Sequence, residues 1–219
     1  MIPKNIIQTY KTYDTIPYKY KQFIIKIREL HPDYNYMFYS DDDIDKFMKS
    51  EYSILLPFYN NLKYNIQRFD LFRLLVIYKY GGFYFDIDVE IVKPVDDLLD
   101  NNVIFPVEFP KNIIESFFGK SRRHSYVILD DQLGQYAFAS EPHNLFIKAY
   151  ITNIIKHRIP LSNIPSNNKQ EYVCCTTGPR ILTTTYYEYG NKDDILLLKH
   201  SNNMRFGDYG IHYCANSWV

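Results

Sequence analysis

Cysteine is scarce, with only Cys174, Cys175 and Cys214 in 219 residues. An odd count with two adjacent thiols makes no disulfide framework, and no C-x-x-C pair gives zinc-site spacing. A reducing compartment fits that usage. Net charge is missing as well, because 25 Lys and Arg balance 25 Asp and Glu. That balance provides no general attraction for nucleic acid or an anionic membrane. No apolar run reaches membrane-spanning length, and Met1-Ile2-Pro3-Lys4-Asn5 lacks the basic and apolar regions of a signal peptide. The expectation is a soluble, cytoplasmic chain with no membrane span. A G-x-x-x-x-G-K phosphate loop is absent, which counts against nucleotidyl or phosphoryl transfer. No repeat or low-complexity linker interrupts the chain, so residues 1–219 are expected to form one domain with a real core. Tyr (22) and Phe (15) are so abundant that a tyrosine stripe is weak evidence for any ligand.

The informative segment is Gly81-Gly82-Phe83-Tyr84-Phe85-Asp86-Ile87-Asp88-Val89-Glu90. Phe83, Phe85, Ile87 and Val89 alternate with Tyr84, Asp86, Asp88 and Glu90, which predicts a strand. A period of two puts Asp86 and Asp88 on one side, with Cβ atoms about 7 Å apart. Carboxylates at the end of a buried strand need compensation. A divalent cation carrying a phosphorylated ligand supplies it; a surface strand with a polar face is the plainer alternative. Upstream, Ile2 to Tyr10 reads as a strand, Pro17 to Leu30 as an amphipathic helix and Tyr34 to Tyr39 as a second strand. Ser40 caps a short helix through Met48, so the Asp41–Asp43 run belongs to a helix N-terminus. Asn61 to Tyr80 is the strongest helix, ended by Gly81-Gly82. Further strands are expected over Val103 to Val107 and Tyr126 to Leu129, and a helix over Pro142 to His157. The alternation predicts an α/β fold with a mostly parallel central sheet and its ligands at the strands' carboxyl ends.

Arg68-Phe69-Asp70-Leu71-Phe72-Arg73, followed by Tyr78-Lys79-Tyr80-Gly81-Gly82-Phe83-Tyr84-Phe85-Asp86-Ile87-Asp88, resembles the D-x-D sugar-binding region of glycosyltransferase family 32. Ile2 to Tyr10 resembles that family's opening strand. His31-Pro32-Asp33-Tyr34, Ala137 to Pro142 and Thr177-Gly178-Pro179 resemble later landmarks, and His212 to Trp218 its closing H-x-x-x-x-S-W. The resemblance implies a GT-A type, Rossmann-like nucleotide-sugar-binding fold. It also implies a nucleoside-diphosphate sugar donor (a UDP-sugar favoured, GDP-mannose possible), Mn²⁺ or Mg²⁺, and transfer with retention to a glycan or protein acceptor. The chain departs from the pattern with Tyr10 in place of Trp and Gln135 in place of Asn, and a membrane anchor of the kind carried by the family's yeast mannosyltransferases is not expected in it. A catalytically silent nucleotide-sugar-binding protein of the same fold is the alternative.

By the same resemblance, Asp88 and Asp86 bind the metal, Asp86 also contacts the ribose, and His212 is a third metal contact. Ser217 and Trp218 contact the diphosphate from a C-terminal flap over about 205–219. Gln8, Thr9 and Tyr10 line the base pocket, with Tyr10 stacking. Asp70 and Arg73, three apart on one helix face, are either a plain ion pair or the grip on sugar hydroxyls and phosphate. Gln135 falls near the anomeric carbon. An amide is a poor nucleophile, which favours front-face departure; Asp130 and Asp131 are the carboxylates for a double-displacement alternative.

Overall fold

The structure, a computed structural model, describes residues 1–109, 131–164 and 167–215. The strand expected over Tyr126 to Leu129, and Asp130, Ser217 and Trp218, lie outside the described residues. A seven-stranded sheet has the order β2-β1-β3-β7-β5-β6, with β8 also on β5. Its strands are β1 (Asn5–Thr9), β2 (Asn35–Tyr39), β3 (Gly82–Phe85), β5 (Val103–Phe109), β6 (Gln132–Leu133), β7 (Ala137–Ser140) and β8 (Ile195–Leu198). β1 runs parallel to β2 and β3, and β8 parallel to β5. β7 is antiparallel to both β3 and β5, and β6 antiparallel to β5. Strands β1, β2, β3, β5 and β8 therefore share one direction and β6 and β7 oppose it, so the sheet is mostly parallel. A second, three-stranded antiparallel sheet joins β4 (Val89–Ile91), β10 (Gly210–His212) and β9 (Arg205–Phe206).

Helices cover the large sheet. They are α1 (Tyr18–Leu30), α2 (Asp41–Glu51), α3 (Leu56–Asn60), α4 (Asn65–Tyr80), α5 (Leu145–Ile155), α6 (Lys169–Thr176) and α7 (Pro179–Glu188). One apolar cluster joins Tyr84, Phe105 and Phe138 of the sheet to residues of α2, α4, α5 and α7. Another joins Phe83, Phe85, Ile104 and Ala139 to Ile27 of α1 and to Val89, Ile91 and Phe206 of the small sheet. Strand β3 is thus buried on both faces, which is why its sequence is apolar at nearly every position. Ser40 caps α2 in a reciprocal capping box with Asp43, as the acidic run predicts.

Three expectations shift. The helix read over Asn61 to Tyr80 begins at Asn65: Tyr64 is extended (φ −126°, ψ 143°), and its N–H donates to Gln67 Oε1 at 2.9 Å. Leu62 is buried from the preceding turn, so the apolar rhythm continues where the helix does not. The strand through Asp88 stops at Phe85, and Asp86 to Val89 form a turn closed by Val89 N–H to Asp86 O at 3.0 Å. The described part of the expected flap is tied to the fold: residues 205–206 and 210–212 are paired in the small sheet, Phe206 is fully buried, and the Tyr213 N–H donates to the Asp88 carbonyl at 3.1 Å.

Gly82 is required where β1 meets β3. Its φ is +111°, and a Cβ there would lie 2.6 Å from the Asn5 carbonyl oxygen. The missing side chain lets β3 close on β1 and fixes the height at which Asp86 emerges.

Candidate active site

Helix α4 and strand β3 are joined through Gly81 alone, so they run antiparallel against each other. Ten residues of helix from Tyr80 back to Asp70 rise about 15 Å. Four residue steps from Gly82 to Asp86 advance about 13 Å. This match brings Asp70 and Arg73 beside the carboxyl end of β3, where Asp86 begins its turn. Arg73 Nη2 lies 3.2 Å from Asp70 Oδ1, and Arg73 Nη1 lies 3.3 Å from Asp86 Oδ1 and donates to the Gln135 carbonyl at 3.1 Å. Arg73 Nε is buried without a hydrogen-bond partner among the described residues. The guanidinium also sits 5.0 Å over the Tyr84 ring. Burial works against its charge, but Asp86, Tyr84 and Asp70 hold it protonated, raised above its ordinary value.

Asp70 is buried and held from three sides. Gln135 Nε2 donates to Oδ1 at 2.8 Å and Thr177 Oγ1 to Oδ2 at 2.7 Å. Tyr150 Oη in turn lies 2.7 Å from both Gln135 Oε1 and the Thr177 carbonyl. Burial pushes the Asp70 carboxyl up to about 6, against the pull of Arg73, Thr177 and Gln135. Between about pH 4 and 6 the folded chain then holds a proton that the unfolded chain releases, so this contribution to stability is lost as pH rises through that window. Relative to Asp70→Asn, wild-type stability is expected to fall by about 3 kcal/mol from pH 4 to 7. Urea melts of both proteins across that range measure it, and a difference independent of pH would contradict the assignment.

Beyond Phe85 the turn converges the two acids. Tyr84 donates to Asp86 Oδ1 at 2.8 Å, and Thr9 Oγ1 lies 3.1 Å from the Tyr84 hydroxyl, linking β1 to the site. Burial raises Asp86; Arg73 offsets this and the Asp88 charge adds to it. Asp88 Oδ1 lies 3.4 Å from His212 Nε2, and the Ala215 N–H donates to Asp88 Oδ2 at 2.7 Å. Burial works to raise Asp88, but His212 and that N–H outweigh it and leave the carboxyl below its usual range. His212 is raised in turn: burial opposes its charge, and Asp88, Asp86 and Glu108 favour it. The His212 ring stacks on Tyr136 at 4.2 Å, and β10 pairs it opposite Val89 of β4. One ligand atom each from Asp86, Asp88 and His212 lies within 4.8 Å of the others.

That donor set fits a divalent cation. Three carboxylates face one guanidinium and one imidazole, so with His212 neutral the group carries an excess of negative charge. Carboxylate oxygens suit Mg²⁺ and Mn²⁺, and the imidazole leans towards the transition metal.

Not every expected residue enters this network. Gln135 does, though with both ends of its amide engaged. Asp131 does not: its carboxylate pairs with Lys199 at 2.7 Å. Gln8 is buried and accepts from the Tyr36 hydroxyl at 3.0 Å. Tyr10 follows β1 and packs with Tyr20, Tyr36 and Phe38 around Ile16, Ile24 and Ile87. No local pattern marks Tyr150. Thr177 was visible only as part of the T-G-P landmark. Cys174, pushed up to about 12 chiefly by burial, is no thiolate nucleophile.

Residues 17–105 match the family model described as "Glycosyltransferase sugar-binding region containing DXD motif". An inositol phosphoceramide mannosyltransferase 3 of Schizosaccharomyces pombe is 35% identical over 58% of this chain and 35% of its own length. An initiation-specific alpha-1,6-mannosyltransferase of Candida albicans is 25% identical over 86% of this chain and 53% of its own length. The chain thus spans about a third to a half of these curated relatives. The solved structure titled "PaToxG Glycosyltransferase" superposes with a TM-score of 0.59 at 18% identity, covering 85% of this chain and 69% of that one. The fold is the GT-A type expected from the sequence, and the likeness to glycosyltransferases with a DXD sugar-binding region lies in residues 17–105.

Proposed function

We propose that this chain moves a hexose from a nucleoside-diphosphate sugar to a hydroxyl of a glycan or other acceptor, with metal dependence and retention at the anomeric carbon. The observation that carries this reading is the meeting of Asp86, Asp88 and His212 within 4.8 Å, beside the buried Asp70–Arg73 pair. Asp86, Asp88 and His212 would hold Mn²⁺ or Mg²⁺, which when bound supplies the Lewis acid that neutralises the diphosphate leaving group. Arg73, with Nε unpartnered, offers a permanent cation to phosphate or sugar oxygens. Asp70 accepts hydrogen bonds from sugar hydroxyls, held in place by Gln135 and Thr177. Gln135 acts here as a positioning residue, because its amide oxygen and nitrogen are both committed. Transfer joins the acceptor oxygen to the anomeric carbon and breaks the bond from that carbon to phosphate. The electron pair leaves with the diphosphate, which also takes the acceptor's proton.

The relatives are named as mannosyltransferases. GDP-mannose is therefore the first donor to test, with UDP-glucose, UDP-galactose and UDP-N-acetylglucosamine beside it. With Mn²⁺ present, release of nucleoside diphosphate from one of these is expected, chelation is expected to stop it, and the glycoside formed should keep the donor's anomeric configuration by NMR. Tight binding with no turnover of any donor would leave the silent binding protein as the better reading.

A further inference from the structure

Glu108 lies on β5 at the edge of this site, and nothing in the scheme above uses it. It is 8% exposed, and its Oε2 accepts from Gln132 Nε2 at 2.8 Å. Its other carboxylate oxygen has no hydrogen-bond donor among the described residues, and no Lys, Arg or His lies within ion-pair distance there. A buried carboxylate held by a single amide costs stability, and burial raises its proton affinity accordingly. A buried acid with a free oxygen at the edge of a site is a candidate for ligand binding.

Its placement points in the same direction. The β5–β6 register pairs Val107 with Leu133 and Phe109 with Gln132, which makes Glu108 the extra residue of a β-bulge. Bulges re-aim side chains and recur beside active sites. Glu108 ends up within electrostatic reach of His212 and Cys214 on the metal-ligand side and of Cys174 in α6 on the other. Gly134 gives it room, since a Cβ there would lie 3.2 Å from the Glu108 Cβ and 2.5 Å from the Tyr136 ring.

We propose that Glu108, steadied by Gln132, is the acceptor-binding carboxylate, taking hydrogen bonds from hydroxyls of a polyhydroxylated acceptor next to the one that attacks. A carboxylate accepts through two oxygens. Gln132 occupies one and leaves the other for the acceptor, while the reacting proton still goes to the diphosphate. This rests on the glycosyltransferase reading above and adds the side from which the acceptor enters.

The test follows donor turnover with Mn²⁺ in the presence of methyl α-mannoside or myo-inositol, separating glycoside product from hydrolysed sugar. Wild-type protein is expected to divert part of its turnover to one of these polyols. Glu108→Gln, which keeps the size and the bond from Gln132, should lower the ratio of transfer to hydrolysis at least tenfold. Gln132→Ala should lower it in the same direction by less. The ratio is read on folded, active molecules, so partial unfolding cannot imitate the effect. An unchanged ratio in Glu108→Gln would overturn the inference, and so would a wild-type enzyme that hydrolyses its donor but uses neither polyol. A wild-type protein that neither binds nor turns over any nucleotide sugar would instead remove the glycosyltransferase reading itself.

Discussion

Asp88→Asn is expected to lower donor turnover by about a thousandfold or more while the protein stays folded. Asp88 faces His212 through one oxygen and receives the Ala215 N–H on the other. An asparagine oxygen can still accept from Ala215, so the local backbone keeps its bond and stability should change by only about 1 kcal/mol. What is lost is a full negative charge from a group of three ligand atoms drawn within 4.8 Å. With a neutral amide at this position, the remaining pair, Asp86 and His212, offers a divalent ion one carboxylate instead of two. Thermal melts and initial rates on the same preparation separate the two effects. Turnover within tenfold of wild type, insensitive to chelator, would show that the cluster is an ordinary ion-pair network.

Arg73→Ala should act on stability as much as on function. The guanidinium is buried between Asp70 and Asp86 and also holds the Gln135 carbonyl. Removing one member of a buried charge group leaves its partners unpaired, which costs about 3–5 kcal/mol. Asp70, already raised by burial, should then take up a proton nearer neutral pH. Expected outcomes are a large fall in melting temperature and loss of nucleotide-sugar affinity. Arg73→Lys should recover part of the stability and little of the binding, because an ammonium cannot fork to two carboxylates and a carbonyl at once. If Arg73→Ala melts like wild type, the pair contributes nothing to the fold and the network is looser than its distances indicate.

Much of this was legible in the sequence. Asp70 and Arg73 could be placed on one face of a helix because helical spacing survives in the apolar rhythm of α4. Asp86 and Asp88 could be placed together, although through strand alternation rather than the turn that brings them together. The capped start of α2 was readable from Ser40 and the acids behind it. Helices α6 and α7 are hard to read locally, since Thr176 in the one and the threonine run at 183–185 in the other are poor helix formers. Pro179 at the first turn of α7 was the signal available. The supporting groups were less visible still. Tyr150 reaches Gln135 and Thr177 only because α5 and α6 both lie against α4, a long-range packing that no local pattern encodes. Glu108 reads as one acid in an apolar strand until the bulge shows where it is aimed.

The central claim is that Asp86, Asp88 and His212 form a metal site that holds a nucleoside diphosphate. Calorimetric titration of the protein with GDP and UDP, each with and without Mn²⁺, tests it most directly. At least tenfold tighter binding of one nucleotide with Mn²⁺ is expected, and Asp88→Asn should abolish that gain. Binding of equal strength with and without the metal, unchanged in Asp88→Asn, would contradict it.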